Sequence, residues 1–362
     1  MIPKIFVFVA YVAFFLFSIA ADGQRKKMQN YILLLSCLLM AYFAGTRDQM
    51  RWGDTPAYLD DFLWANDIFH YSLLDRPNGY VEGGYHFLVV IIKTFTDNPT
   101  IYFTVISLLT FFFIFRGLQR YSIYPMLGLC IYISRFMLGR NMMQIRACLA
   151  IAIIISFTYM VKEKKWWAYF LVLLLCYQLH HSSLVAAPLL LLGVLNYNVS
   201  RKQIYVGLII SFFIAQFFGG YVRNIVGNSE WAMDMASSYI QEGSEKAFSN
   251  DLTNPVIWFQ TIVLLMFTYN EDRLKKMTGY YFVYRNAYFV STVILIVMCQ
   301  YAVVAARTST LFATFECMII PYLLALFPKK ERTVPYAIIG VGLTLLFILN
   351  WPSALLFIWN IE

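Results

Sequence analysis

Three kinds of side chain in this sequence could do chemistry together: an imidazole, a set of carboxylates and a set of guanidinium groups. His180 ends one apolar run and, with His181, Ser182 and Ser183, begins the next. An imidazole titrating near neutrality can take a proton from a hydroxyl nucleophile or hydrogen-bond a phosphate; it can equally cap a helix end at a membrane interface. Asp54 stands in Asp54-Thr55-Pro56-Ala57-Tyr58. A carboxylate there could serve as a general base or orient a sugar hydroxyl, while Asp54 or Thr55 ahead of Pro56 also reads as a helix N-terminus. Arg135, Arg140 and Arg146 lie in or beside apolar sequence. A guanidinium near bilayer depth is costly and is kept with a partner or on a pathway. Its planar fork suits phosphate oxygens, so these residues could hold a diphosphate carried on a lipid, or pair with carboxylates such as Asp54 or Glu316. Arg307 and Glu316, nine residues apart, carry the same two readings.

The element that must position these groups is the first long polar interruption, from Arg47 to Glu82. It brings Asp48, Asp54, Asp60, Asp61, Asp67, Asp75 and Glu82 together with Arg47, Arg51 and Arg76. Its aromatic residues, Trp52, Tyr58, Trp64, Phe69, Tyr71 and Tyr80, suit sugar faces and a membrane interface alike. A second polar stretch, 220–254, mixes Arg223, Glu230, Asp234, Glu242, Glu245 and Lys246 with Trp231 and Tyr239, and reads either as a lid over a site or as a solvated connection.

Composition sets the medium. The 362 residues are 60% hydrophobic and 13% charged, about half the charged share of a soluble domain, and the mean hydropathy is +0.63. This defines an all-α, polytopic integral membrane protein, because only helices and closed barrels satisfy every backbone group in lipid. The net charge of +8 comes largely from Lys and Arg in short links between apolar runs. That is the pattern of topogenic charge rather than of a nucleic-acid surface. All six cysteines lie inside apolar runs, where a thiol behaves as a small hydrophobe, so neither a disulfide framework nor a metal cluster is implied. Two adjacent histidines with no third ligand at zinc spacing define no metal site. The sequence calls for no cofactor.

Charge also orients the chain. The first apolar run, 2–21, is followed by Arg25, Lys26 and Lys27 and reads as a retained span with its N-terminus outside. Basic links at 116–120, 162–165, 201–202, 273–276 and 329–332 all read as cytoplasmic. Between them the apolar runs fall in pairs: 122–139 and 144–161, 166–180 and 183–196, 203–219 and 255–269, 281–303 and 310–327. The scheme closes only if 99–115 enters from outside, so the short run 84–96 must lie along the outer interface. The expected architecture is a single integral membrane domain over 1–362 with about twelve spans, an interfacial helix near 84–96 and two sizeable outer loops, 47–98 and 220–254. Three further outward corners follow, at 139–146, 180–183 and 307–310.

Five short motifs stand in one order on that outer side. Arg47 precedes Asp54-Thr55-Pro56-Ala57-Tyr58; Glu82, Tyr85 and Leu88 follow; Ile145, Arg146 and Ala150 open a span; His180, Ser182, Leu184 and Pro188 come next; Arg307, Phe312 and Glu316 complete the set. In this order the chain resembles the EpsG/Wzy-like family of bacterial polysaccharide polymerases, within the GT-C-type membrane glycosyltransferases, over nearly its whole length. The resemblance implies metal-independent transfer of a growing O-antigen or exopolysaccharide glycan from undecaprenyl diphosphate to another lipid-linked repeat unit. The reaction would occur at the periplasmic or outer face of the bacterial inner membrane. The leaving diphosphate would be stabilised by guanidinium donors, with Arg47, Arg51, Arg140, Arg146 and Arg307 as candidates. The acceptor hydroxyl would need a base from His180, Asp54 or Glu82. Tyr58 and Glu316 complete the expected substrate-binding set. The expected partners are the undecaprenyl-diphosphate-linked oligosaccharide, membrane lipid and a chain-length regulator protein, with no nucleic acid. A flippase for lipid-linked oligosaccharides would also keep arginines on a lipid-phosphate path, and a glycan ligase or acyltransferase could use the His180 region. Transporters often show internal repeats and helices broken at the midplane; neither is visible, and the polar groups cluster at one face.

Overall fold

The computed structural model describes residues 4–21, 26–50, 52–72, 81–227 and 252–349. Among them every regular element is helical. The elements are α1 (Lys4–Ala20), α2 (Lys26–Gly45), α3 (Thr55–Trp64), α4 (Gly83–Lys93), α5 (Pro99–Tyr121) and α6 (Pro125–Tyr132), then a π-helix (Ile133–Met137) running into α7 (Leu138–Arg140). Next come α8 (Ile145–Ser156), α9 (Tyr159–Lys162), α10 (Trp166–Leu179), a 3-10 turn (His181–Ala186), α11 (Ala187–Val194) and α12 (Arg201–Gly227). The chain continues through α13 (Pro255–Tyr269), α14 (Glu271–Met277), α15 (Tyr281–Val297), α16 (Ala302–Ala313), α17 (Glu316–Ala325) and α18 (Thr333–Leu349).

Four segments, Lys27–Gly45, Pro99–Tyr121, Ile145–Lys162 and Arg201–Val222, are long and apolar enough to cross a membrane. The pair Val304–Ala313 and Glu316–Ala325, bent by 48°, makes a fifth if taken as one span. The remaining apolar helices are shorter. α5 shows why such a segment is helical. Asn98 caps it by accepting the amide N–H of Thr100 at 2.9 Å, Pro99 starts it, and its 23 residues rise about 35 Å. The 11 residues of α4 rise only about 16 Å, half of a hydrocarbon core.

The chain forms two compact units. In the first, comprising 1–160, 167–184 and 320–362, α2 packs along α5 and α5 along α8. A Cβ on Gly45 would come within 2.4 Å of Thr104 Oγ1, so the α2–α5 contact runs nearly backbone to backbone. α1 packs against α6 and against α18, with the Tyr11 and Phe347 rings stacked at 5.4 Å. In the second unit, 161–166 and 185–319, α15 is central and touches α12, α13 and α16. Arg285 on α15 is 1% exposed and donates to Glu271 and to the Val199 carbonyl. Arg201 reaches Glu271 at 3.1 Å and Asp272 at 2.6 Å, so the Arg201 and Arg273–Lys276 links are stapled by acids between them. A buried cation satisfied on several sides in this way costs much less than an isolated one.

Two expectations about loops change. The corner placed at 307–310 is helical: Arg307 lies inside α16, and the chain turns instead at 298–301 and bends again between α16 and α17. α12 runs on to Gly227, through the first residues of the expected 220–254 loop; residues 228–251 of that loop, with Glu230, Asp234, Glu242, Glu245, Lys246, Trp231 and Tyr239, lie outside the described residues.

Candidate functional site

The site is built where the first polar stretch meets the starts of later helices within the first unit. Glu82 occupies the N-cap of α4 in extended backbone, yet its side chain makes no capping hydrogen bond. A carboxylate there would ordinarily accept an amide N–H of its own first turn. Instead it reaches across to three partners. Oε1 accepts from His180 Nδ1 at 2.9 Å and from the His181 backbone N–H at 3.0 Å, and Oε2 accepts from Arg146 Nη1.

Close packing brings these elements together. Gly84, the second residue of α4, sits so near α10 that an added Cβ would lie 2.6 Å from the Gln178 Cβ and 2.8 Å from its carbonyl oxygen; His180 follows two residues after Gln178, just past the end of α10. Arg146 is the second residue of α8 and is directed by the 141–144 corner. That corner is tied to α3, since Thr55 Oγ1 donates to the Met142 carbonyl at 2.9 Å and Gly53, at φ +30°, packs against Met143. From α3, Tyr58 presents its hydroxyl to Arg146 Nε at 3.4 Å. The Tyr58 ring lies 5.2 Å from the guanidinium, a cation–π contact.

Electrostatics define the charge states. Burial alone would raise the Glu82 carboxyl, but the His180 hydrogen bond and the Arg146 charge outweigh it and hold it down to about 2. An ionised carboxylate only accepts, so His180 Nδ1 carries the proton and Nε2 is left as the basic nitrogen. Burial pushes the Tyr58 phenol up, against the pull of Arg146, so it stays protonated.

Arg47 is 6% exposed, with its guanidinium 4.3 Å from the centre of the Phe103 ring. Nη1 donates to the Ala44 carbonyl at 2.5 Å, whereas Nε and Nη2 have no partner among the described residues. Burial lowers it to about 10, opposed by Tyr102, Tyr85 and Tyr58, so it remains a cation at neutral pH. Arg140, 4% exposed, lies 4.6 Å from the Phe136 ring, and both Arg47 and Arg140 act electrostatically on Cys148 in the first turn of α8. Arg135 sits on the π-helix, an irregularity frequent at functional positions.

Of the residues singled out in the sequence, Glu82, Arg146, His180 and Tyr58 are thus in direct contact. Asp54 is half-buried at the N-cap of α3, and its charge is felt by Tyr58. Arg51 lies outside the described residues. Arg307 and Glu316 belong to the second unit, where Glu316 is fully buried and accepts from the Tyr288 hydroxyl at 2.9 Å.

The sequence reading missed a second pair, which joins α3 to α4. His86 Nδ1 and Asp61 Oδ1 lie 3.0 Å apart, with side chains 6% and 1% exposed. Asp61 Oδ2 has no partner among the described residues. Nearby, the Tyr85 and Tyr102 hydroxyls share a 2.8 Å hydrogen bond. A helical signal for this pair was present. Tyr58, Asp61 and Phe62 recur on one face of α3, and Tyr85, His86 and Val89 on one face of α4. No group of three or more His, Cys, Asp or Glu side chains able to hold a metal ion sits together among the described residues.

A helical membrane protein with a carboxylate, an imidazole and a guanidinium locked together between helices belongs to a class in which polar groups are kept for function. The chain belongs to the EpsG family: the family's model matches residues 30–360, nearly the whole length. EpsG is a Wzy-like polymerase family, and membership supports a polysaccharide polymerase-like function in a membrane. No curated protein and no solved structure matches the chain.

Proposed function

We propose that this protein is a polymerase of the bacterial inner membrane that transfers a growing O-antigen or exopolysaccharide glycan from undecaprenyl diphosphate to the terminal sugar of a lipid-linked repeat unit, at the periplasmic or outer face. The observation that carries this reading is the three-way contact of Glu82 with His180, His181 and Arg146. It prepares one nitrogen as a base and places a cation beside it. Glu82, held near 2 and engaged on both oxygens, is a weak base, so the base role falls to His180 Nε2, with Glu82 fixing its tautomer as a positioning residue.

The acceptor hydroxyl oxygen bonds to the anomeric carbon of the donor glycan. Its proton passes to His180 Nε2, and the bond to the diphosphate oxygen breaks with its electron pair leaving on undecaprenyl diphosphate. That departing charge needs donors. Arg146 is already paired with Glu82, whereas Arg47 holds a buried positive charge with two unfilled N–H positions. Arg47 is therefore the first candidate for the diphosphate, with Arg140 and Arg146 beside it. Guanidinium donors supply this stabilisation without calling on a metal.

The topology belongs to the same reading: twelve crossings, with α4 lying along the outer interface and its exposed Phe87 and Ile91, followed by Phe95, facing the lipid boundary. Antiparallel packing of α1 and α18 supports it, because it brings the basic residues beside both helices to one end. The deciding test is a strain deleted for this chain. A polymerase predicts loss of glycan laddering with single lipid-linked repeat units accumulating at the outer face. Accumulation at the inner face would instead mark a flippase and overturn the reading.

A further inference from the structure

The ends of α1 and α18 enclose a pocket that the polymerase reading does not use. Along these helices Phe15 meets Tyr336 and Gly340, Tyr11 meets Thr344 and Phe347, and Phe8 meets Phe347. The order is antiparallel, so the C-terminal end of α1 lies beside the N-terminal end of α18. A cavity of about 360 Å³ opens there, walled by Phe15, Ile19, Tyr336 and Ala337 and lipped by Lys329 and Arg332. That size falls within the range of about 300–1,000 Å³ typical of small-molecule pockets.

The charge around it is predominantly positive. Lys329 and Lys330 are exposed on the turn before α18. Arg332 is anchored by Nε to the Phe327 carbonyl at 2.9 Å and by its guanidinium 5.4 Å from the Tyr124 ring. Lys27, at the start of α2, belongs to the same end, because Gln29 Nε2 donates to the Ala21 carbonyl at 2.9 Å. The one acid within the 329–332 turn is the exposed Glu331. Away from this lip, Val334, Ile338, Val341 and Leu345 recur on one face of α18 and are 55–67% exposed. An apolar track thus leads from a basic pocket into the membrane-facing side of a helix.

We propose that this pocket binds the phosphate headgroup of an anionic glycerophospholipid from the leaflet at the basic end of α1 and α18, with its acyl chains lying along the exposed face of α18. Basic pockets between membrane helices recognise such headgroups, and each Lys or Arg near the surface adds to the attraction. The bound lipid bridges helices from opposite ends of the sequence.

The experiment uses the full chain in an uncharged detergent, titrated with phosphatidylglycerol, phosphatidylcholine or inorganic phosphate, with bound species counted by native mass spectrometry. One phosphatidylglycerol should bind saturably, phosphatidylcholine at least about tenfold more weakly, and inorganic phosphate should not compete. A Lys329→Gln/Arg332→Gln double variant should weaken phosphatidylglycerol about thirtyfold, and Lys276→Gln should change nothing. Ala337→Phe keeps every charge and fills the cavity, so it should also lose the lipid. Equal affinity for the two lipids, an unaltered double variant, or competition by inorganic phosphate would each overturn the proposal. So would full binding by Ala337→Phe, which would reduce the effect to diffuse surface charge.

Discussion

Glu82 Oε1 and His180 Nδ1 lie 2.9 Å apart although 98 residues of chain separate them. The contact fixes which imidazole nitrogen holds the proton, and it exists because α4 starts against α10 at a position without a side chain. Geometry at one glycine thereby sets the protonation chemistry of a histidine.

His180→Gln should reduce polymer formation by about 10²–10⁴-fold, the usual contribution of a positioned general base, and should remove the acid limb of the pH–rate profile while donor binding stays measurable. An unchanged rate and profile would take the base role away from His180. Loss of donor binding alone would make it a phosphate ligand and pass the base role to Asp54.

Gly83 and Gly84 make a paired test. A Cβ at Gly83 meets nothing within 4 Å, whereas one at Gly84 meets Gln178 at 2.6 Å. Gly83→Ala should be neutral, but Gly84→Ala should lower the melting temperature and the polymerisation rate together by forcing α4 off α10. Equal behaviour of the two variants, followed by thermal unfolding and glycan laddering, would contradict this packing.

Stability against pH should carry the signature of Glu82. Its ordinary value of 4.5 falls to about 2 in the fold, so between these values the unfolded chain binds more protons than the folded one. The contribution is complete above about 4.5 and disappears as pH falls through about 2. Glu82→Gln should flatten the dependence of unfolding free energy on pH across that window in detergent, and an unchanged slope would show that the carboxyl is not held by His180 and Arg146.

Arg47→Met should leave the melting temperature unchanged or raise it, because a buried cation with two unfilled donors is replaced by a side chain of similar length. Donor affinity should fall about 10–100-fold, the loss of one charge-assisted hydrogen bond, measured by binding of the lipid-linked donor. Arg146→Lys should keep the fold, since the charge opposite Glu82 survives, yet cut polymerisation because a point charge does not reproduce the fork that meets both Glu82 and Tyr58. Normal polymer from Arg146→Lys would remove Arg146 from the site.

Cysteine introduced at Thr96 or Asn98 should react with an impermeant reagent from outside the cell. The six native cysteines are buried and should stay silent. Labelling from the cytoplasm alone would defeat the twelve-crossing scheme.

The sequence by itself determined the medium and the local elements. Apolar runs of about 13–23 residues between basic links define helices in a membrane, and two helix starts are readable because they depend only on neighbouring residues: Asn98 caps α5 ahead of Pro99, and Pro56 marks the first turn of α3, where Asp54 at the N-cap makes no side-chain capping bond. It also placed His180, Glu82, Arg146 and Tyr58 on a short roster, since polar groups at the ends of apolar helices are kept there for a reason. Helical periodicity carries no information on which helix meets which. Tertiary packing alone decided that Glu82 serves His180 and Arg146, that Asp61 pairs with His86, and that Arg307 lies inside a helix rather than at a corner. The charge state of Glu82 followed from that packing, because a carboxyl's proton affinity is set by the donors and charges around it and not by its neighbours in sequence.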